Sequence, residues 1–146
     1  MDVLKLIALD EDDLSIISAH VQDAVMKTGE LSFEKRQNRF IVSMKRFAWE
    51  KEKKGFFRRM PPERRLSVLH FDRVQAVKSA GIDMLKSDDV LSLLAVRFLP
   101  GDAPSGTVEL VFSGEATIHL EVECIEARLS DLGAAWQASA SPRHKV

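Results

Sequence analysis

TVELVFSGEATIHLEVEC, residues 107–124, alternates apolar and polar side chains on both sides of a short break at residues 113–116. Strict alternation is typical of a strand that has one face in the core and the other in water. The break, SGEA, has the length and the glycine of a tight turn between antiparallel strands. This stretch therefore predicts a β-hairpin in an antiparallel sheet.

Both flanks of this hairpin contain further apolar runs of strand length. The densest is residues 90–99, where Leu, Val and Phe are so frequent that we expect burial on both faces. Together with the hairpin, the runs predict a sheet of six to eight strands. The other runs cover residues 3–9, 25–33, 40–49, 65–71 and 73–77.

Two helices are predicted, one near each end of the chain. Asp10 is a good N-cap for a helix whose apolar side includes Leu14 and Ile17. Residues 125–132 predict the second helix, which ends before Gly133. The predicted fold class is α+β, a mainly antiparallel, strongly curved sheet or small barrel with an N-terminal and a C-terminal helix. Pleckstrin-homology-like barrels are a fold-level analogy that says nothing about a ligand.

Length and composition indicate a globular protein. The chain has 146 residues, 45% of them hydrophobic and 29% charged, which suits one domain with a continuous core. We place this domain at residues 1–136 and expect the polar tail, residues 137–146, to fray. Cys124 has no partner for a disulfide, and the sequence shows neither a signal peptide nor an apolar run of membrane-spanning length. We therefore expect a cytoplasmic protein with no membrane span.

Positive charge is concentrated in residues 35–65. This stretch contains twelve Lys and Arg residues and three carboxylates, so its net charge is +9 in a chain whose total is −1. A basic stretch attracts anions whatever the net charge of the whole protein. The twelve cations are Lys35, Arg36, Arg39, Lys45, Arg46, Lys51, Lys53, Lys54, Arg58, Arg59, Arg64 and Arg65.

Aromatic side chains are interleaved with these cations at Trp49, Phe56 and Phe57. Proteins that bind single-stranded nucleic acid combine cations along the phosphates with rings under the bases. We therefore expect first a non-enzymatic binding or adaptor module whose partner is a polyanion or an acidic protein surface. The alternative is a solvated loop whose aromatic side chains pack back onto the core. The predicted anion-binding residues are Lys51, Lys53, Lys54, Phe56, Phe57, Arg58, Arg59, Arg64 and Arg65.

Histidine supplies a second, enzymatic hypothesis. His70 and Asp72 share a face of one predicted strand, as two metal ligands or a base and its orienting acid do, and His119 is a further candidate. The sequence lacks the paired Cys and His spacings of a metal site, so we predict no metal, no cofactor and no catalytic residue. A metal-dependent or hydrolase-like enzyme around His70 and Asp72 ranks second. A structural homo-oligomer, held by the separated charges, is the third alternative.

Several stretches together resemble one protein family. They are SAHVQDAV (18–25), HFDRVQAV (70–77), VLSLLAVRFLPGDAPSGTVELVFSG (90–114) and, most specifically, LEVECIEARLSDLGAAW (120–136). The sequence is similar to a family of short, uncharacterised alphaproteobacterial proteins classed as a domain of unknown function. The resemblance implies a bacterial, cytoplasmic protein without an assigned activity or cofactor, and it supplies no catalytic residues.

Overall fold

A computed structural model describes residues 3–47 and 64–132 of the chain. This part of the chain forms ten strands and one α-helix. In chain order they are β1 (Lys5–Ala8), α1 (Glu11–His20), β2 (Val25–Lys27), β3 (Leu31–Glu34), β4 (Arg39–Phe47), β5 (Arg64–Phe71), β6 (Val74–Ala80), β7 (Val90–Pro100), β8 (Gly106–Phe112), β9 (Ala116–Val122) and β10 (Ala127–Asp131). Two 3₁₀ turns, Thr28–Glu30 and Lys35–Gln37, flank β3.

The strands form one antiparallel sheet in the order β1-β10-β5-β4-β2-β7-β8-β9-β6, with β3 paired to β4. The mainly antiparallel sheet is therefore confirmed. Among the described residues this sheet is open, with β1 and β6 at its edges, and does not close into a barrel. Strand β7 connects the strands β1-β10-β5-β4-β2 on one side to the strands β8-β9-β6 on the other. Its first residues pair with β2, and its later residues pair with β8. The count of ten strands exceeds the six to eight predicted, since residues 25–33 divide into β2 and β3 around a 3₁₀ turn and β10 forms where a helix was predicted.

The N-terminal helix is confirmed where the sequence placed it. The Asp10 side chain accepts a hydrogen bond from the Asp13 amide at 2.8 Å, which satisfies one of the free donors of the first turn. Leu14 and Ile17 are buried in the shared core. The Ser18 hydroxyl oxygen accepts a hydrogen bond from the Val96 amide at 2.9 Å, so α1 is tied to β7.

The prediction of a C-terminal helix is wrong. Residues 127–131 form β10, in which Ala127, Leu129 and Asp131 are buried and alternate with Arg128 and Ser130. β10 lies between β1 and β5 and pairs with both. Pairing on both edges satisfies the backbone donors and acceptors of this segment, which outweighs its local helical pattern.

The expectation that β7 is buried on both faces is also wrong. Val90, Leu94 and Leu99 are exposed by 67%, 42% and 43%, while Leu93 and Val96 lie in the core. A register shift between residues 93 and 95 marks a bulge at this point of the strand, which changes the face that each side chain meets.

The tail at 137–146 lies outside the described residues, and the domain boundary at residue 136 stays a prediction.

The predicted hairpin is confirmed as β8 and β9, with Val108 opposite Leu120 and Leu110 opposite Ile118. Its first residue, Gly106, also pairs with Pro100 of β7. A Cβ added at Gly106 would lie 2.5 Å from the Phe98 ring and 2.6 Å from the Leu99 carbonyl oxygen. The close approach of β7 and β8 therefore requires glycine at this position.

We expect Gly106→Ala to lower the free energy of unfolding by about 1–3 kcal/mol, because the new methyl group overpacks the β7–β8 pair. Gly101→Ala is the matched control, since its Cβ would meet no atom closer than 3.4 Å. Urea unfolding followed by circular dichroism measures both variants. Equal stabilities for the two variants would show that the β7–β8 spacing tolerates a side chain.

Candidate functional site

The β4–β5 pair divides the basic stretch into two groups. Phe40 lies opposite Phe71 at one end of the pair, and Phe47 lies opposite Arg64 at the other. Seven residue steps along β4 separate these ends by about 23 Å. Of the cations in residues 35–65 that the structure describes, Lys35, Arg36 and Arg39 belong to the first end, and Lys45, Arg46, Arg64 and Arg65 belong to the second. We call the second group the basic end.

A buried ion pair lies at the centre of the basic end. The Arg46 guanidinium donates from Nε to Asp131 Oδ1 and from Nη2 to Asp131 Oδ2, both at 2.8 Å, and both side chains are fully buried. Arg46 Nη1 also donates to the Phe47 carbonyl oxygen at 2.9 Å. The two parallel hydrogen bonds give the strongest geometry for an arginine and a carboxylate.

Asp131 also connects further strands to this pair. Its carboxylate accepts hydrogen bonds from the Ser67 hydroxyl on β5 and from the Leu4 amide before β1. Arg65, directly opposite Arg46 in the strand pair, has its Nη1 4.0 Å from Asp131 Oδ2. Asp131 therefore binds side chains or backbone from three segments besides its own.

Burial by itself would raise the pKa of Asp131, because it disfavours the charged carboxylate. The hydrogen bonds from Arg46 and Ser67 and the charge of Arg46 outweigh it, so the pKa of Asp131 is lowered. Asp131 is thus ionised at neutral pH and neutralises Arg46 within the core.

We expect Asp131→Asn to lower the free energy of unfolding by about 3–5 kcal/mol, because it leaves the buried Arg46 charge uncompensated. Ser67→Ala removes one hydrogen bond to the same carboxylate and should cost about 1 kcal/mol. Asp72→Asn, which breaks the more exposed pair with Arg39 at 2.7 Å, is the control and should cost less than about 1 kcal/mol. Urea unfolding ranks the three variants. If Asp131→Asn costs no more stability than Asp72→Asn, the buried pair contributes less than we infer.

The lowered pKa of Asp131 also sets a pH dependence. Its contribution to stability is complete above the unfolded pKa, about 4, and is lost as pH falls through the lower folded pKa. We expect the unfolding free energy of the wild type to fall more steeply below about pH 4 than that of Asp131→Asn. Urea titrations over this acidic range measure the two slopes, and parallel slopes would contradict the assignment.

Arg64 occupies the last pair of the β4–β5 hairpin. Its guanidinium carbon lies 4.2 Å from the centroid of the Phe47 ring, and its side chain is exposed. A cation held over an aromatic face loses part of its freedom while its N–H donors still point to solvent. Arg64 is therefore positioned to accept an anion.

The other predicted anion-binding residues divide between buried and undescribed positions. Arg65 is 5% exposed and lies beside Asp131, so a partner has little access to it. For Arg65, and for the predicted residues outside the described ranges, the assignment to anion binding stays a prediction. Lys51, Lys53, Lys54, Phe56, Phe57, Arg58 and Arg59 lie outside the described residues.

The structure brings His70 and Asp72 together but does not join His119 to them. His70 Nε2 lies 3.6 Å from Asp72 Oδ2, whereas His119 Nε2 lies 3.0 Å from Glu109 Oε2 on the β8–β9 hairpin. Burial lowers the pKa of His70, with Asp72 opposing this effect and Arg39 adding to it. The imidazole of His70 is therefore neutral at pH 7. Within residues 3–47 and 64–132, no group of three or more His, Cys, Asp or Glu side chains is arranged to hold a metal ion.

A polar cleft of about 320 Å³ lies at the end of β4 opposite the basic end. The β3–β4, β5–β6 and β9–β10 connections surround it, and we call it the turn cleft. Arg39 donates from Nε to Asp72 Oδ1 at 2.7 Å on one side of it. Arg73 lies on the other side, with Nε 3.3 Å from Glu126 Oε1. The residues lining the turn cleft are Gln37, Asn38, Arg39, Asp72, Arg73, Glu123 and Glu126.

The sequence interpretation missed the Arg46–Asp131 pair, although a signal was present. Arg46 continues the inward alternation of Phe40, Val42 and Met44, and Asp131 continues that of Ala127 and Leu129. Opposite charges at inward positions of two strands indicate a buried ion pair, once both segments are assigned as strands. The helix assigned to residues 125–132 concealed this pattern.

Residues 4–144 match a family described as "Protein of unknown function (DUF2948)". This match confirms the resemblance to a family of unknown function. Neither a curated protein nor a solved structure matches the sequence, and the pleckstrin-homology-like analogy stays a prediction. In the described part of the chain, no helix combines the length and the hydrophobicity needed to cross a membrane.

Proposed function

The chain belongs to this family of proteins of unknown function, and we propose from its geometry that it is a non-enzymatic binding module for a phosphate-rich polyanion. The binding surface is the basic end, at which β4 leads into residues 48–63 and β5 begins. The single observation that carries the proposal is the exposed Arg64 guanidinium held over Phe47. The finer placement in the bacterial cytoplasm is part of this proposal, and the unbridged Cys124 is compatible with it.

A rigid base supports this surface. Arg46 and Asp131 connect β4 to β10 across β5, and the Ser67 hydroxyl of β5 binds the same carboxylate. The pair Phe47–Arg64 closes the hairpin next to this cluster. Phe47 and Arg64, which precede and follow residues 48–63 in the chain, therefore lie at paired positions of the sheet, and Arg64 is presented from a fixed backbone.

Local charge favours an anionic partner even after the buried pair is subtracted. Residues 45–65 contain nine Lys and Arg side chains and three Glu side chains. Two of the nine, Arg46 and Arg65, face Asp131. The remaining seven outnumber the three carboxylates, and Lys45 and Arg64 are both exposed.

Phosphate is the anion that suits Arg64 best. A guanidinium presents planar donors that bind two phosphate oxygens at once, and the ring beneath it limits the orientations of that plane. In sequence, Trp49, Phe56 and Phe57 supply the aromatic side chains that single-stranded nucleic acid stacks on. We therefore favour single-stranded nucleic acid over an acidic protein surface as the partner.

We expect the full chain to bind a fluorescent oligothymidylate at low salt, with an affinity that falls as salt rises because phosphate contacts release counterions. Arg64→Gln should weaken binding about 5-fold, and Arg64→Lys should weaken it less because the charge remains. Arg97→Gln is the matched control, since Arg97 is an exposed arginine on β7. Fluorescence anisotropy at two salt concentrations measures all four proteins.

Three outcomes oppose the proposal. Absence of binding at low salt, or binding that persists unchanged at high salt, removes the electrostatic basis. An equal loss in Arg64→Gln and Arg97→Gln shows that overall charge, not the basic end, is responsible. Binding of an acidic peptide in preference to the oligothymidylate assigns the surface to a protein partner.

A further inference from the structure

The turn cleft is a preformed feature of the backbone. The Val74 amide donates to the Asn38 carbonyl oxygen at 2.8 Å, the Glu123 amide to the Arg73 carbonyl oxygen at 3.0 Å, and the Asp72 amide to the Glu126 carbonyl oxygen at 2.8 Å. These hydrogen bonds link the β3–β4, β5–β6 and β9–β10 connections. The walls of the cleft therefore stay in place even when its side chains exchange partners.

The size and lining of the turn cleft define a class of ligand. Its volume of about 320 Å³ is at the lower end of the range for small-molecule sites. Every lining side chain is polar or charged, so the cleft offers little surface for an apolar ligand. The lining holds two guanidinium groups and three carboxylates, a combination that repels a simple polyanion and binds positive and negative groups together.

Arg73 is the side chain in the cleft that is free to exchange. Arg39 makes a short contact with Asp72, at 2.7 Å. Arg73, in contrast, lies 3.3 Å from Glu126 and 3.9 Å from Glu123, and its side chain is 58% exposed. An incoming carboxylate can therefore replace long, solvated contacts of Arg73 without breaking the Arg39–Asp72 pair.

Arg73 also occupies an unusual backbone position. Its φ is +63°, in the left-handed region where glycine has no steric penalty. The chain thus places a long cationic side chain at a position where glycine would be less strained. Local strain of this kind is concentrated at binding sites, where it positions a side chain.

We propose that the turn cleft binds a small zwitterion, a molecule of the amino-acid class that carries one ammonium and one carboxylate. The carboxylate of the ligand binds the Arg73 guanidinium, and its ammonium binds Glu123 and Glu126, which Arg73 releases. Each charge in the cleft keeps a partner of opposite sign during this exchange. The site lies at the opposite end of β4 from the basic end, so it is independent of polyanion binding.

The test is a titration of the isotope-labelled full chain with the standard amino acids, followed by amide chemical shifts. We expect at least one amino acid to bind with a Kd of about 1 mM and to shift the amides of Asn38, Arg73 and Glu126. The same compound with its amine acetylated and its carboxyl amidated should bind at least about 10-fold more weakly. Arg97→Gln is again the control and should bind as the wild type does.

Arg73→Gly separates binding from folding. Glycine relieves the left-handed backbone, so we expect this variant to be at least as stable as the wild type while its affinity falls about 10-fold or more. Glu126→Gln should also weaken binding. The proposal is overturned if no amino acid shifts the cleft amides at about 10 mM, if the blocked compound binds equally well, if inorganic phosphate binds instead, or if Arg73→Gly retains full affinity.

Discussion

A fully buried arginine requires a carboxylate inside the same core, and in this protein Arg46 and Asp131 meet that requirement across two strands that are not neighbours in the sheet. Arg46 stands opposite Arg65 in the β4–β5 pair, an arrangement of like charges that is unfavourable without a nearby anion. Asp131 supplies the anion from β10, on the far side of β5. The order of β4, β5 and β10 therefore follows from charge balance as well as from hydrophobic burial.

Because arginines in the fold pair with carboxylates, the net charge of a stretch of sequence does not give the charge of a surface. A net charge of +9 in residues 35–65 suggests a single basic surface. In the fold, Arg39 pairs with Asp72 at one end of β4, whereas Arg46 pairs with Asp131 near the other. Part of the apparent excess is thus neutralised by carboxylates that are distant in sequence, so the charge that remains for a partner is smaller than the sequence suggests.

Whether the sequence predicts a structural feature correctly depends on how far apart in the chain the interacting residues lie. The β8–β9 hairpin and the Asp10 cap are local features, and the residue pattern predicts both correctly. Strand β10 is different, because residues 127–131 have a pattern compatible with a helix, and it is pairing with β1 and β5 that selects the strand. The turn cleft could not be predicted either, since its three connections are far apart in the chain and meet only after the sheet forms.

The separation between Arg46 and Asp131 has a consequence during synthesis on the ribosome. Asp131 follows Arg46 by 85 residues, a delay of about 4–17 s at common elongation rates. During that time β5 is completed while the carboxylate that Arg46 requires, and the strand that pairs with β1, have not yet been made. Pairing of Arg46 with this carboxylate is thus a late event, because Asp131 is made only after almost all of the described chain.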